Sequence, residues 1–178
     1  TGVSAAAAGD DSLFYTLPEM MDGLALTASY SPGAAAGPAH SSFGIAYTGV
    51  EGLTLKFGQG DSGEPALEIE STTMMASYAI SSFTVSVSNT EATKKGAANE
   101  EVQSYQIAYT VSDDISVTYG SETHDLTGNV TDEEVEALGI SYTTGGMTIS
   151  ANSYEAKGAG NTAGAVSDKW ALGLSFAF

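Results

Sequence analysis

The residues able to do chemistry are few. Gly60-Asp61-Ser62-Gly63-Glu64-Pro65 sets a serine among small residues, and His40 lies upstream of it. A serine becomes a nucleophile when a histidine takes its proton and a carboxylate holds that histidine in place. In the chain order His, Asp, Ser, an Asp would have to lie between His40 and Gly60, and none does. The segment also falls where a long loop between hairpins is expected. His124-Asp125 has the makings of a proton relay, but no nucleophile accompanies it, and it reads as a loop histidine. Asp132-Glu133-Glu134, with Glu122, Asp125 and Glu136 nearby, is a run of carboxylates without a lysine. Oxygen-rich loops bind Ca²⁺ or Mg²⁺, yet no ligand spacing is recognisable. The expectation is a solvated acidic loop, with at most a loosely held cation at Asp132, Glu133 and Glu134. No catalytic residue, no cofactor and no enzyme activity are expected.

Composition excludes several other functions. The chain has 178 residues, 22 of them acidic and five basic, for a net charge of −17. The basic residues are all lysines, at 56, 94, 95, 157 and 169, and arginine is absent. Nucleic-acid binding needs a cationic footprint and is excluded; docking on an anionic membrane surface is disfavoured likewise. Cysteine is absent, which removes disulfides and thiolate metal sites. No stretch approaches the roughly 18 apolar residues of a membrane helix. Glycine, tyrosine and abundant Ser/Thr suit an all-β chain with many turns.

The elements carrying these residues are legible from the C-terminus backwards. In Asp168–Phe178, Trp170, Leu172, Leu174, Phe176 and Phe178 alternate with Lys169, Ala171, Gly173, Ser175 and Ala177. Every second residue of a strand faces the same side, so one face is large and apolar and the other small or polar. Residues 1–9 read as a loop or loose end. From residue 10 to 178 the same alternation recurs in hairpins: strands at Asp11–Leu17, Gly23–Ser31, Ser42–Thr48, Leu53–Gly58, Thr72–Ile80, Phe83–Ser88, Val102–Ser112, Ile115–Gly120, Val135–Thr144 and Met147–Tyr154, with a last strand from Lys169. Tight turns at Gly49–Gly52, Ser81-Ser82, Asp113-Asp114 and Gly145-Gly146 join pairs. Long polar connections at Pro32–Ala39, Gln59–Glu70, Asn89–Glu101, Ser121–Glu134 and Glu155–Asp168 join the pairs to each other. Met75 breaks the alternation.

Two features point to a barrel in a membrane. Tyr47, Tyr78, Tyr109 and Tyr142 recur just before the short turns, with Tyr15, Phe176 and Phe178 in equivalent places; side by side they would make an aromatic girdle. Tyr30, Phe57, Tyr119 and Trp170 would supply a second ring. The opposite face is nearly uniform Ser, Thr, Gly and Ala, too small to fill a closed interior, and so suits a water-filled lumen. The expected lumen residues are Thr54, Lys56, Thr84, Ser86, Gln106, Thr110, Ser116, Thr118, Ser141 and Lys169. The alternative that alternation alone allows is a soluble acidic β-sandwich with its apolar faces packed together. Eleven strands are expected where a bacterial barrel normally has an even number, and the first runs toward the short-turn side. The chain is therefore expected to be the C-terminal portion of a larger barrel, its first strands lying elsewhere.

Asp10-Asp11-Ser12-Leu13-Phe14-Tyr15-Thr16-Leu17-Pro18, leading to Gly23-Leu24-Ala25-Leu26-Thr27-Ala28-Ser29-Tyr30-Ser31, resembles the segment after the constriction loop of Gram-negative general porins of the alphaproteobacterial type. Leu172–Phe178 resembles that family's C-terminal strand, whose last Phe is read by the outer-membrane assembly machinery. The resemblance implies an antiparallel transmembrane β-barrel of sixteen strands, of which this chain would hold the sixth to the sixteenth. It implies a homotrimer in the outer membrane, in contact with lipid and lipopolysaccharide, where divalent ions at the acidic outer loops could bridge to phosphates. It also implies passive diffusion of small hydrophilic solutes, with selectivity set by lumen width and fixed charge. The acidic excess adds an expectation of mild cation preference. The lack of arginine departs from the family's basic constriction wall. A barrel serving mainly in adhesion or phage contact is the other reading that long outer loops permit.

Overall fold

The computed structural model describes residues 12–18, 20–33, 39–62 and 68–177. The expectations for residues 1–9, for Gly63–Pro65 and for Phe178 lie outside them. The described chain is all strand and turn: β1 (Leu13–Thr16), β2 (Leu24–Ser31), β3 (His40–Tyr47), β4 (Leu53–Ser62), β5 (Ile69–Ile80), β6 (Phe83–Lys94), β7 (Glu100–Thr110), β8 (Ile115–Leu126), β9 (Glu133–Thr144), β10 (Met147–Lys157) and β11 (Val166–Phe176). The strands are hydrogen-bonded in chain order. The chain divides into two compact units, one running to Ser77 and including Ser88–Glu101, the other comprising Tyr78–Val87 and the chain from Val102 onward.

In the first unit, register puts bulky residues on one face in cross-strand rows: Leu24–Tyr47–Leu55, then Leu26–Ile45–Phe57. The intervening rows are Ala25–Ala46–Lys56, Thr27–Gly44–Gly58 and Ser29–Ser42–Gly60, all on the other face. Phe43 and Phe57 rings meet at 5.6 Å on the bulky face. In the second unit the bulky rows are Tyr142–Ile149–Leu174, Ile140–Ala151–Leu172 and Leu138–Ser153–Trp170. The small-residue rows between them are Ser116–Ser141–Ser150–Gly173 and Thr118–Gly139–Asn152–Ala171. Pairs directly opposite share a face, so the register itself separates the two surfaces.

Neither surface is packed into a core. Among the described residues no hydrophobic side chain is buried, while Trp170 is 82% and Leu172 70% exposed. A soluble sandwich would bury these faces against each other; leaving them in water would cost roughly 25 cal/mol per Å² of apolar surface. The sandwich alternative is therefore discarded. No helix of the described residues is long and apolar enough to cross a membrane.

β1 and β2 keep within their expected bounds, whereas from β3 to β11 the strands outrun their expected ends on the side away from the tight turns. β6 continues to Lys94, β8 to Leu126 and β10 to Lys157, while β7 begins at Glu100, β9 at Glu133 and β11 at Val166. The expected long connections Asn89–Glu101, Ser121–Glu134 and Glu155–Asp168 are correspondingly short. In these outer segments both faces are polar or charged, as in Glu133-Glu134-Val135-Glu136, so hydropathy alternation falls silent while the backbone ladder continues.

Candidate pore wall

The would-be catalytic residues are brought closer than the sequence suggested, and still fail. Gly60–Ser62 belongs to β4 rather than to a loop, and Ser62 pairs directly with His40 on β3. Asp61, one residue away, necessarily points to the opposite face. There its carboxylate accepts from Ser41 Oγ at 2.9 Å, so it cannot orient His40. His124 likewise lies in β8, opposite Glu133, with Asp125 on the other face.

The acidic run is also split by the pleat. Glu122 and Glu133 lie on the small-residue face, Glu134 and Glu136 on the bulky face. Glu136 accepts the Tyr119 hydroxyl at 2.8 Å and lies 3.9 Å from Lys157. Glu133 accepts the Gly160 N–H at 3.1 Å. Of the three expected loop carboxylates only Asp132 is in a loop. Among the described residues no three Asp, Glu or His side chains converge to hold a metal ion.

The small-residue face is the coherent surface. Hydroxyls pair across strands, Ser29 with Ser42 and Ser116 with Ser141 at 2.7 Å each, and Thr143 with Thr148 at 2.9 Å. Thr73 and Thr90 pair at 3.0 Å. Glycines let side chains lie flat against the sheet. A Cβ at Gly139 would stand 2.7 Å from Thr118 Oγ1 and 2.8 Å from Asn152 Oδ1. Register puts Lys56, Ser116, Thr118, Ser141 and Lys169 on this face, and Thr54 shares the facing of Lys56 two residues on. Thr84, Ser86, Gln106 and Thr110 alternate with Phe83, Tyr105 and Tyr109, whose ring contacts lead to Tyr119 on the bulky face, and so lie on the small-residue face too. Sequence reasoning missed Lys94 there, because it fell in an expected loop; its ammonium pairs with Glu100 at 2.5 Å. Lys56 has no ion-pair partner among the described residues. It borders a recess of about 290 Å³ lined by Phe14, Thr27, Ser42 and Gly44.

The bulky face carries the aromatic residues at two levels. Tyr47 pairs with Leu24 at the tight-turn end of its unit. Tyr15 pairs with Ala28, four residues further from that turn, so it stands above the ring expected for it. In the second unit Tyr78, Tyr109, Tyr142 and Phe176 are exposed near tight turns, and Tyr109 stacks on Phe83 at 4.5 Å. Tyr119 shares the Leu138–Ser153–Trp170 row, and Tyr105 meets it at 6.2 Å. The next row on that face is Ser121–Glu136–Glu155–Asp168. Apolar residues bounded by aromatic rows, with charge starting immediately beyond, are what a lipid bilayer selects.

Two-faced antiparallel hairpins with a dry-adapted outside and a hydroxyl-lined inside define a transmembrane β-barrel protein. The sequence matches the family model for Gram-negative porins over residues 1–178, and the chain belongs to that family. Family and fold place it in the bacterial outer membrane. No curated protein sequence matches it. Among solved structures it is similar to the anion-selective porin of Comamonas acidovorans, with TM-score 0.78 and 15% identity over 94% of this chain and 59% of that one. It is similar to a porin refined at 1.8 Å, with TM-score 0.74 and 19% identity over 100% of this chain and 65% of that one. It also resembles OmpT, an outer membrane protein of Vibrio cholerae, with TM-score 0.63 and 14% identity, covering 82% and 53% of the two chains. The chain thus spans between about half and two thirds of these relatives, and at such identities the likeness carries the fold alone.

Proposed function

We propose that this chain forms part of the wall of a water-filled channel through which small hydrophilic solutes diffuse passively across the outer membrane. The bulky face meets lipid and the small face meets water. No residue does chemistry and the mechanism uses no cofactor. Solutes pass along a surface of Ser, Thr and Gly whose hydroxyls satisfy one another and so hold a solute only weakly, as conduction requires. The observation that supports this reading is the row-by-row separation of exposed apolar and hydroxyl-bearing faces without any buried core among the described residues.

The proposal extends to partners and selectivity. The channel assembles as a homotrimer, is inserted by the outer-membrane assembly machinery, and sits among lipopolysaccharide. The Glu136–Glu155–Asp168 row meets the outer-leaflet headgroups, where Ca²⁺ or Mg²⁺ bridges it to lipopolysaccharide phosphates. Cation preference is mild and fades with salt, because carboxylates gather toward the outer strand ends, Asp61, Glu136 and Asp168 on the bulky face and Glu122 and Glu133 on the small-residue face, rather than among the Ser116–Ser141 and Thr118–Gly139 rows. The test is conductance of the full-length protein, purified from outer membranes, in planar bilayers. Discrete, ohmic steps with a reversal potential favouring cations at low salt are expected. Membranes that stay silent at saturating protein would refute the channel.

A further inference from the structure

The connection between β10 and β11, residues 158–165, does not project freely. The Asn161 side-chain amide donates to the His124 carbonyl at 3.0 Å and to the Thr131 carbonyl at 3.2 Å. It thereby ties the β10–β11 connection to the end of β8 and to the β8–β9 turn. Asn161 adopts φ +53, a left-handed conformation that asparagine tolerates better than most residues. Gly160 N–H donates to Glu133 Oε2 at 3.1 Å. Gly158, at φ +65, lies so close to the Asp132 carbonyl that any Cβ there would collide with it. Within the connection, Thr162 N–H donates to the Gly158 carbonyl and Ala165 N–H to the Thr162 carbonyl, each at 3.1 Å.

The direction of this tie matters. Glu133 pairs with His124, and even-numbered steps along both strands lead to the Ser116–Ser141 row. Its carboxylate is therefore on the small-residue face, and the connection reaches toward that face to meet it. The segment itself, Gly-Ala-Gly-Asn-Thr-Ala-Gly-Ala, bears no charge. It can obstruct but not attract.

We infer that residues 158–165 form a fixed strap over the outer end of the lumen, that Asn161 and Glu133 hold it down, and that it limits the size of solute admitted. The inference rests on the channel reading above. Two ties with distinct chemistry hold the strap. Removing both should raise its released population roughly tenfold or more, since together they make three hydrogen bonds, two part-buried and one exposed, each of modest net strength.

The test uses the full-length protein in liposomes, with osmotic swelling driven by neutral sugars from a pentose to a trisaccharide. The double variant Asn161→Ala, Glu133→Ala should admit the trisaccharide several-fold faster while pentose entry stays near the parent rate. Glu133→Gln keeps a carbonyl oxygen for the Gly160 N–H and should behave as the parent. Unchanged size discrimination in the double variant overturns the strap and leaves the channel standing. A parent protein that passes no sugar overturns the channel, and the strap's role with it. Should the double variant fail to fold, amide exchange on the parent protein decides. Gly160 and Thr162 amides exchanging at free-peptide rates would overturn the strap, and protection comparable to the β10 ladder would support it.

Discussion

Reversing the charge at Lys56 is the most direct probe of the proposed wall. Lys56 pairs with Ala46 in the Ala25–Ala46–Lys56 row and has no ion-pair partner among the described residues. Its charge is therefore not cancelled locally, unlike that of Lys94, which faces Glu100. An ion passing about 8 Å from a unit charge in water feels about 0.5 kcal/mol before screening. At about 0.1 M salt the Debye length of about 10 Å reduces this to about 0.2 kcal/mol. Lys56→Glu changes the wall by two charges, so cations gain about 0.5 kcal/mol and anions lose as much. The cation-to-anion permeability ratio should then rise about fivefold at about 0.1 M salt, and by only about 1.3-fold at about 1 M, where the Debye length is about 3 Å. The assay is the reversal potential across planar bilayers under a KCl gradient, at low and at high mean salt. Lys157→Glu is the matched control. It makes the same charge change on the bulky face, beside Glu155 at 3.1 Å, and should shift selectivity several-fold less. A reversal potential indifferent to Lys56→Glu, or equally sensitive to Lys157→Glu, would mean that the small face does not line the conducting path.

Ile140→Arg, on the bulky face between the two aromatic levels, should destabilise the protein by about 2–4 kcal/mol in vesicle unfolding by urea, whereas Trp170→Arg at the outer level should cost about 0–1 kcal/mol; equal costs would argue that this face does not meet lipid. Gly139→Val forces a branched side chain against Thr118 Oγ1 and Asn152 Oδ1, at 2.7 and 2.8 Å from the first carbon alone. It should cost about 1–3 kcal/mol in the same experiment, with Gly139→Ala costing less. Chelating divalent ions should lower thermal stability in lipopolysaccharide-containing bilayers, and Glu155→Gln with Asp168→Asn should remove that sensitivity; a chelator effect of unchanged size in the double variant would exclude the bridging row.

How far the sequence could be read follows from where lipid imposes a pattern. Between the aromatic levels most strands alternate bulky with small, Met75 in β5 and Ser153 in β10 excepted, and there the strands, the tight turns and the facing of Lys56, Ser116 and Ser141 were legible. Beyond the outer aromatic level no solvent difference separates the two faces, so β8 past Gly120 and β9 before Val135 carry no alternation to detect. The ladder continues because its backbone groups still need partners, which side-chain hydropathy does not report. The same silence hid the pairing of His40 with Ser62, and of His124 with Glu133. It also hid the ties of Asn161, whose partners are backbone carbonyls and leave no mark in composition. Tyr15 was misplaced for a different reason: it was ranked by position before a turn, while its height is set by register across to Ala28.

A net charge of −17 suggests a uniformly negative pore, and the register shows why that inference fails at the level of the wall. In the second unit the row Glu136–Glu155–Asp168 is acidic, but it stands on the face of Trp170 and Leu172. The opposite row one step along the strands is Gly120–Ala137–Tyr154–Lys169, whose only charge is positive. In the first unit Asp61 points with Phe43 and Phe57, while Lys56 points with Ala46 and Gly44. Facing, not composition, therefore decides which charges a solute meets at close range. Carboxylates on the outer face act on the mouth only through solvent, over about one Debye length. Lumen lysines act at shorter range, about 8 Å for Lys56, so salt screens them less steeply than the rim, although at about 1 M little of either remains. Selectivity measured at low salt should thus report rim and wall together, and its response to Lys56→Glu isolates the wall's share.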